Sequence, residues 1–206
     1  IISGNNKTRD NVIRRELEIS DSELYSGSKL TKSKYNINRV GFFEDVQPIK
    51  KRDPDHPEVI NLNIKVKERK STGQLQASVG YQPADITTNA FFGQGRFEEK
   101  NFFGKGWSTN IAIKWTQNND HNLNVSFHDP RVNDSSWSLS LGGGYEVREA
   151  RYIAALQNRE EIVNLNGSLG KNLFEDVLGT IGLSLSHTKQ LDDLDDAEES
   201  FFPAGG

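Results

Sequence analysis

The sequence predicts an α+β module of order β-α-α-β-β over residues 1–70, followed over residues 71–206 by antiparallel strands of a transmembrane β-barrel. Two observations lead there. Near Lys70 the chain changes from dense charge with a partly helical pattern to alternating strands rich in Gly, Asn, Ser and aromatics, and such a shift marks a domain boundary. Beyond it no helical crossover separates successive strands, so they form an antiparallel meander.

Composition sets limits. Hydrophobic residues make up 34% of the 206, and no run of apolar residues is long enough for a transmembrane helix. That low content is compatible with a barrel, because a membrane strand needs about 9–11 residues and only every second one apolar. The net charge of −4, with no basic aromatic groove, argues against nucleic acid as a partner. With no Cys there is neither a disulfide framework nor a thiolate metal site. Ile1 to Asn5 has no signal-peptide pattern and Phe201 to Gly206 reads as loop, so both ends are expected to lie inside a longer protein, with the first strand truncated.

In the module, Ile1-Ile2 before Gly4-Asn5-Asn6 reads as a strand end entering a turn. Thr8 is then expected to cap a helix whose apolar stripe is Val12, Ile13 and Leu17. A second helix fits Lys29 to Val40, with Leu30, Tyr35, Ile37 and Val40 as apolar positions and Gly41 as a left-handed terminator. Phe42 to Ile49 reads as a strand. Val59 to Val66 alternates, with Ile60, Leu62, Ile64 and Val66 on one face. The loop between them, Arg52 to Pro57, is full of breakers, and His56 within it reads as a surface residue.

Seven strands follow. The first, Gly73 to Gln82, sets Leu75, Ala77, Val79 and Tyr81 against Gln74, Gln76, Ser78, Gly80 and Gln82; the second runs from about Asn89 to Lys100. In the next three, one face carries Trp107, Ile111, Ile113 and Trp115, then Leu123, Val125 and Phe127, then Trp137, Leu139 and Leu141. The sixth centres on Val163, Leu165 and Leu169, and the seventh runs from Val177 to Ser186. A soluble sandwich with its apolar face inward competes with a membrane barrel with that face outward. The polar face decides, since it is mostly Ser, Asn, Gln and Gly and so suits a water-filled lumen, while Trp and Tyr near strand ends suit interfacial girdles. The ten apolar residues of the third to fifth strands are therefore expected to face lipid.

The links alternate in character. Asn101 to Gly106, Asp129 to Ser135 and Lys171 to Asp176 form one set, at the end from which the module leads in. Pro83 to Ile86, Gln117 to His121, Arg148 to Glu161 and the acidic Asp192 to Glu199 form the other. The longest links fall in the second set, as on the extracellular side of outer-membrane barrels. Other motifs read blandly. Gly93-Gln94-Gly95 and Gly142-Gly143-Gly144 precede no helix, so they are not phosphate loops. His121, His128 and His187 have no carboxylate at ligand spacing, and no nucleophile triad is legible. The acidic stretch lacks the glycine and spacing of a calcium loop and reads as solvated. No catalytic residue and no cofactor are expected.

Gly4-Asn5, Lys7-Thr8-Arg9-Asp10, Val12 to Leu17 and Arg39 to Val46 together resemble a POTRA domain. Val66 to Arg69, Gly80-Tyr81, Glu98 to Gly106 and Asp129-Pro130 extend the resemblance to the BamA family of outer-membrane assembly factors, as its last POTRA domain and the start of its barrel. The resemblance implies a Gram-negative outer-membrane protein with residues 1–70 in the periplasm, and about seven of an expected sixteen barrel strands. It implies that Gly73 to Gln82 is the first strand of a lateral gate through which barrel proteins are folded and inserted. It implies that Arg14 and Asp21 dock a periplasmic lipoprotein. The partners implied are unfolded outer-membrane proteins, lipoproteins of an assembly complex and outer-membrane lipid. A POTRA-bearing secretion pore that exports a dedicated protein is the alternative.

Overall fold

The computed structural model describes residues 1–83, 89–117, 120–150, 158–174 and 177–191. Its elements are β1 (Ile2–Ser3), α1 (Asp10–Arg14), α2 (Gly27–Arg39), β2 (Phe43–Arg52), β3 (Ile60–Glu68), β4 (Gly73–Pro83), β5 (Asn89–Phe102), β6 (Trp107–Thr116), β7 (His121–Asp129), β8 (Trp137–Ala150), β9 (Asn158–Phe174) and β10 (Val177–Leu191), with a short 3₁₀ turn at Val132–Asp134. Two compact units result. The first joins Ile1–Gln74 to Glu99–Thr109 and His128–Ser138, and the second comprises Leu75–Glu98, Asn110–Phe127 and Leu139–Gly206.

The module has the expected β-α-α-β-β order, and its sheet runs β1-β3-β2, with β1 parallel to β3 and β2 antiparallel to it. Its core is Val12, Ile13, Leu30, Ile37, Phe42, Phe43, Val46, Ile64 and Val66, with Ile2, Leu17, Ile19, Val40 and Leu62 packed around them. The apolar face expected for β3 fades along its length, since Ile64 and Val66 are buried while Ile60 is exposed.

Three local expectations are corrected by tertiary structure. Thr8 does not cap α1: the N-cap position is Arg9, which makes no side-chain cap bond, and Thr8 is buried. The Thr8 hydroxyl is taken by a more distant partner, Asn101. The second helix begins two residues early because the hydroxyl of Ser26, not a later residue, accepts the Lys29 N–H. Tyr35 is 63% exposed rather than part of the stripe. Positions i, i+3 and i+7 are Leu30, Ser33 and Ile37, and these face the core. Ser33 tolerates full burial because its hydroxyl donates to the Lys29 carbonyl and accepts the Glu18 N–H, both at 2.8 Å. Gly41 adopts the expected left-handed conformation, φ 80°, just past the helix end.

The seven strands β4 to β10 form one sheet in strict sequence order. Strands β8, β9 and β10 outrun the lengths read from periodicity, because ladder pairing continues while a neighbour is present, whatever the side chain. β9 and β10 stay in register from Leu178↔Asn172 to Leu191↔Arg159. The expected link Lys171 to Asp176 thus shrinks, since β9 runs to Phe174. The greater part of the expected link Pro83 to Ile86, the middle of Gln117 to His121, residues 151–157 of Arg148 to Glu161, and all of Asp192 to Glu199 lie outside the described residues, while Arg148 to Ala150 belong to β8 and Asn158 to Glu161 to β9. Glycines in the strands serve close packing: a Cβ on Gly144 would lie 2.7 Å from both Asn124 and Asn164, and one on Gly80 would lie 2.5 Å from the Phe92 ring.

Ile37→Ala is expected to destabilise the module by about 2–4 kcal/mol through loss of a buried side chain, whereas Tyr35→Ala should stay within about 0.5 kcal/mol. Denaturant titration followed by module-specific fluorescence or hydrogen exchange checks both values, and equal effects at the two sites would refute the assignment of the helix face.

Candidate functional site: the strand-end seat and the first strand

β3 ends at Glu68, and its carboxylate organises the loop that leads into α1. It accepts the backbone N–H groups of Asn6 (2.9 Å), Lys7 (2.9 Å) and Thr8 (2.7 Å). Partial burial by itself raises the carboxyl pKa, but the hydrogen bonds from Thr8, Lys7 and Asn6 outweigh it and hold the group below its ordinary value. Asn5 completes the loop by donating to the Thr8 carbonyl at 2.9 Å and to the Asp10 carboxylate at 2.6 Å. Gly4, at φ 91°, lets the chain pass against the Val66 carbonyl, where a side chain has no room.

The ordered loop is a seat for the turn between β5 and β6. Asn101 donates to the Thr8 hydroxyl at 2.8 Å and accepts the Gly106 N–H at 2.8 Å, both bonds buried. The Arg9 N–H donates to the Gly104 carbonyl at 2.9 Å. Gly104 and Gly106 both have φ 70°; a Cβ on Gly104 would collide with the Lys7 carbonyl, and one on Gly106 would lie 2.6 Å from the Arg15 guanidinium. This fit explains why the Phe-Phe-Gly-Lys-Gly turn carries two glycines. The turn between β7 and β8 meets α1 differently. Asp134 accepts from Asn11 Nδ2 at 3.0 Å and lies 3.5 Å from Arg15 Nη1, while Arg131 lies 3.6 Å from Glu16.

Arg14 and Asp21 come together as an ion pair of 3.7 Å on the surface of the module, with 56% and 98% of their side chains exposed. Such a pair contributes little stability, so both charges are available to a partner. Of the strand Gly73 to Gln82, all ten residues fall in β4, at one edge of the seven-stranded sheet. Leu75, Val79 and Tyr81 are exposed on one side, and Tyr81 packs on Phe91 with ring centroids 5.0 Å apart. On the other side Ser78 accepts from Gln94 at 2.8 Å, and Gln76, Ser78, Gln94, Arg96, Lys114 and Asn124 are among the residues that line a concavity. Ile113, Trp115, Leu123, Val125, Trp137 and Leu141 are exposed, while Trp107, Ile111, Phe127 and Leu139 are half-buried. Among the described residues no group of three or more His, Cys, Asp or Glu could hold a metal.

Sequence reasoning did not find Glu68, Asn101, Arg15 or Asp134, whose partners stand roughly 60 to 120 positions away. The local signal for the seat was the glycine pair in the first turn.

Glu68→Gln is expected to lose about 1–2 kcal/mol of local stability, since a carboxylate accepting several N–H groups is replaced by a single neutral acceptor. Because the folded pKa is depressed, this stability is fully present above the unfolded value and is lost as pH falls through the folded one. Exchange protection of the amides of residues 6–8, corrected for intrinsic rates, should therefore fall in acid in the unaltered protein and be low and pH-independent in the variant. Equal protection in both proteins would contradict the role assigned to Glu68.

Residues 1–69 match the POTRA family, described as a surface antigen variable number repeat, and residues 101–202 match the Omp85 superfamily domain. The outer membrane protein assembly factor BamA of Nitratidesulfovibrio vulgaris is 36% identical over 154 residues, covering 72% of this chain and 18% of that protein. The factor of the same name from Neorickettsia risticii is 34% identical over all 206 residues, or 26% of its own length. That from Neisseria meningitidis serogroup B is 36% identical over 147 residues, covering 71% of this chain and 17% of that protein. The chain thus spans roughly a fifth to a quarter of these relatives. The crystal structure of Haemophilus ducreyi BamA lacking POTRA domains 1–3 superposes with a TM-score of 0.75 at 21% identity, over 99% of this chain and 38% of that one. CdiB from Acinetobacter baumannii gives 0.62 at 11% identity, over 93% and 38%. At these identities the two structures speak to the fold alone. A POTRA module leading into Omp85-type strands, with a BamA relative 34% identical along its whole length, places the chain in the BamA family of outer-membrane proteins.

Proposed function

We propose that the protein to which this chain belongs folds and inserts β-barrel proteins into the outer membrane, and that β4 is the edge on which an incoming strand pairs. The observation that carries the reading is the position of β4: it ends the sheet order, so one side of its backbone lacks a ladder within the seven strands. Unpaired N–H and C=O groups are costly in hydrocarbon, and an edge that can be opened is a template for another strand. Gly73 and Gly80 lower the strand propensity of β4 and leave its pairing easier to exchange. Its polar side, Gln74, Gln76, Ser78 and Gly80, is uncharged, and Pro83 ends the strand.

In this reading residues 1–70 form the periplasmic module and residues 71–206 the beginning of the barrel. Trp107, Ile111, Ile113, Trp115, Leu123, Val125, Phe127, Trp137, Leu139 and Leu141 form the lipid-facing surface. Support comes from exposure: six of these large apolar side chains are exposed in the sheet, together with Ile181, Leu183 and Leu185 at 71–81%, more apolar surface than a water-facing sheet carries. The work is done by strand exchange and needs no catalytic residue and no cofactor. Unfolded outer-membrane proteins are the substrates. Periplasmic lipoproteins dock at Arg14 and Asp21, where an exposed cation and anion lie side by side and Leu24 stands 90% exposed in the same loop region.

Depletion of the full-length protein is expected to lower many unrelated outer-membrane barrels together; loss of a single exported protein would instead identify a secretion pore. A cysteine introduced at Val79, on the exposed side of β4, should form crosslinks to a nascent barrel substrate carrying cysteines in its terminal strand. Absence of such crosslinks along the whole of β4 would remove it as the template. Arg14→Glu should reduce copurification of periplasmic lipoproteins several-fold without changing the amount of folded protein, and unchanged copurification would relocate the docking surface.

A further inference from the structure

The two strand-end turns that meet the module do so by contacts of opposite kinds. The β5–β6 turn is held by neutral, buried bonds: Asn101 to Thr8, and the Arg9 N–H to the Gly104 carbonyl. Thr8 and Asn101 are 3% and 8% exposed. Gly104 brings backbone against the Lys7 carbonyl, leaving no space for a side chain, and Gly106 lies against the side chains of Arg15, Val12 and Phe42. The β7–β8 turn is held by charge. Among the described residues no backbone hydrogen bond joins residues 129–136 to the module. The links are Asp134 to Asn11 and Arg15, and Arg131 to Glu16.

That second contact is poorly satisfied. The Arg15 side chain is 8% exposed, yet its carboxylate neighbours Asp134 and Glu16 stand at 3.5 and 3.8 Å, beyond hydrogen-bond length, and its Nε has no hydrogen-bond partner. A guanidinium stripped of water without full pairing is held at a cost. The turn itself carries consecutive non-glycine residues in the left-handed region, Asn133 at φ 51° and Asp134 at φ 59°, a further small strain. The outer partner Asp134 keeps 45% of its side chain in water, so salt and solvent reach the contact.

We infer that the module is attached to the strand ends at two points of unequal kind: a fixed pivot, where the β5–β6 turn sits on Thr8 and Arg9, and a releasable ionic latch, where Asp134 of the β7–β8 turn meets Arg15 and Asn11. Arg15 is the positioning residue of the latch. Opening it rehydrates the guanidinium and relaxes Asn133 and Asp134, and it leaves the module core and the pivot intact. The role of latch opening in assembly rests on the function proposed above; the unequal attachment does not.

The test uses full-length protein in lipid bilayers and reads hydrogen exchange of the two turns separately. At about 1 M salt the screening length falls to about 3 Å, shorter than the ionic separations of the latch. Protection within residues 130–136 is expected to drop about tenfold at high salt and in Asp134→Asn, while protection within residues 101–106 is unchanged. Equal responses of both turns, or none in either, would overturn the inference. Arg15→Lys, which keeps the charge without the guanidinium, should retain the salt dependence; Arg15→Met should abolish it. Persistence of the salt dependence in Arg15→Met would assign the effect elsewhere. In a second arm, cysteines replacing Asn11 and Asp134 are joined by a short reductant-cleavable thiol crosslinker. Outer-membrane protein assembly should stop while the link is present and return on reduction. Unimpaired assembly with the link complete, alongside the expected exchange result, would keep the latch and reject its role in assembly.

Discussion

A strand that enters hydrocarbon must find partners for every backbone N–H and C=O, and this requirement fixes the arrangement of the chain from Gly73 onward. Each strand pairs with its neighbour in sequence, so the chain reverses at every link and successive links fall at opposite ends of the sheet. β4 leaves directly from the module. The β5–β6 and β7–β8 links must therefore return to the module's end, and both touch it, through Gly104 on Arg9 and through Asp134 on Asn11. The same pairing rule puts β4 at one end of the seven-strand order, with β10 at the other. One constraint thus produces both the surface on which turns meet the module and the strand proposed to receive a substrate.

Glu68 and Arg15 are two buried or partly buried charges handled in opposite ways. Glu68 receives three backbone donors and is stabilised as an anion by them. Removing its charge leaves those donors unmatched, and so the loop from Asn6 to Thr8 depends on it. Arg15 has charge neighbours but no good hydrogen bond at Nε, and its partner Asp134 is half in solvent. The first charge sets a loop through three hydrogen bonds; the second meets its turn through longer ionic contacts. The difference lies in geometry and donor count, since both groups keep counterparts of the right sign or polarity.

The period-two pattern was legible because a barrel strand writes its two environments into alternate residues, and the strand count and order followed from it. Helix boundaries were less legible. Thr8 has the right residue type for a cap, but its hydroxyl and its N–H are claimed by Asn101 and Glu68, 93 and 60 residues distant. Tyr35 looked apolar enough for the stripe, yet the helical spacing belongs to Ser33, whose polarity is cancelled by two hydrogen bonds. Composition therefore misled where position decided. Strand ends were underestimated because polar residues such as Lys171 and Asn172 pair as well as apolar ones when the neighbouring strand continues. The seat and the latch were not legible at all beyond their glycines, since the contacts that bring the two turns to the module join residues about ninety or more positions apart.

The short joint between β3 and β4 couples these features. Arg69 is tied back to the module by its N–H on the Phe42 carbonyl at 2.9 Å and its Nε on the Phe43 carbonyl at 3.3 Å. Thr72, three residues on, bonds to Glu99, and Glu99 also accepts the Asn101 N–H at 2.9 Å. The start of β4 is therefore held to the same β5–β6 turn that forms the pivot, and Asn101 belongs to both. Helix α1 carries the other half of the coupling: Asn11 and Arg15 face the second turn, while Arg14 projects to solvent beside Asp21. A partner seated on Arg14 would bear on a five-residue helix whose neighbouring side chain is the least satisfied charge in the joint. A helix that short has few backbone bonds of its own, and Arg15 just past its end has no hydrogen-bond partner at Nε.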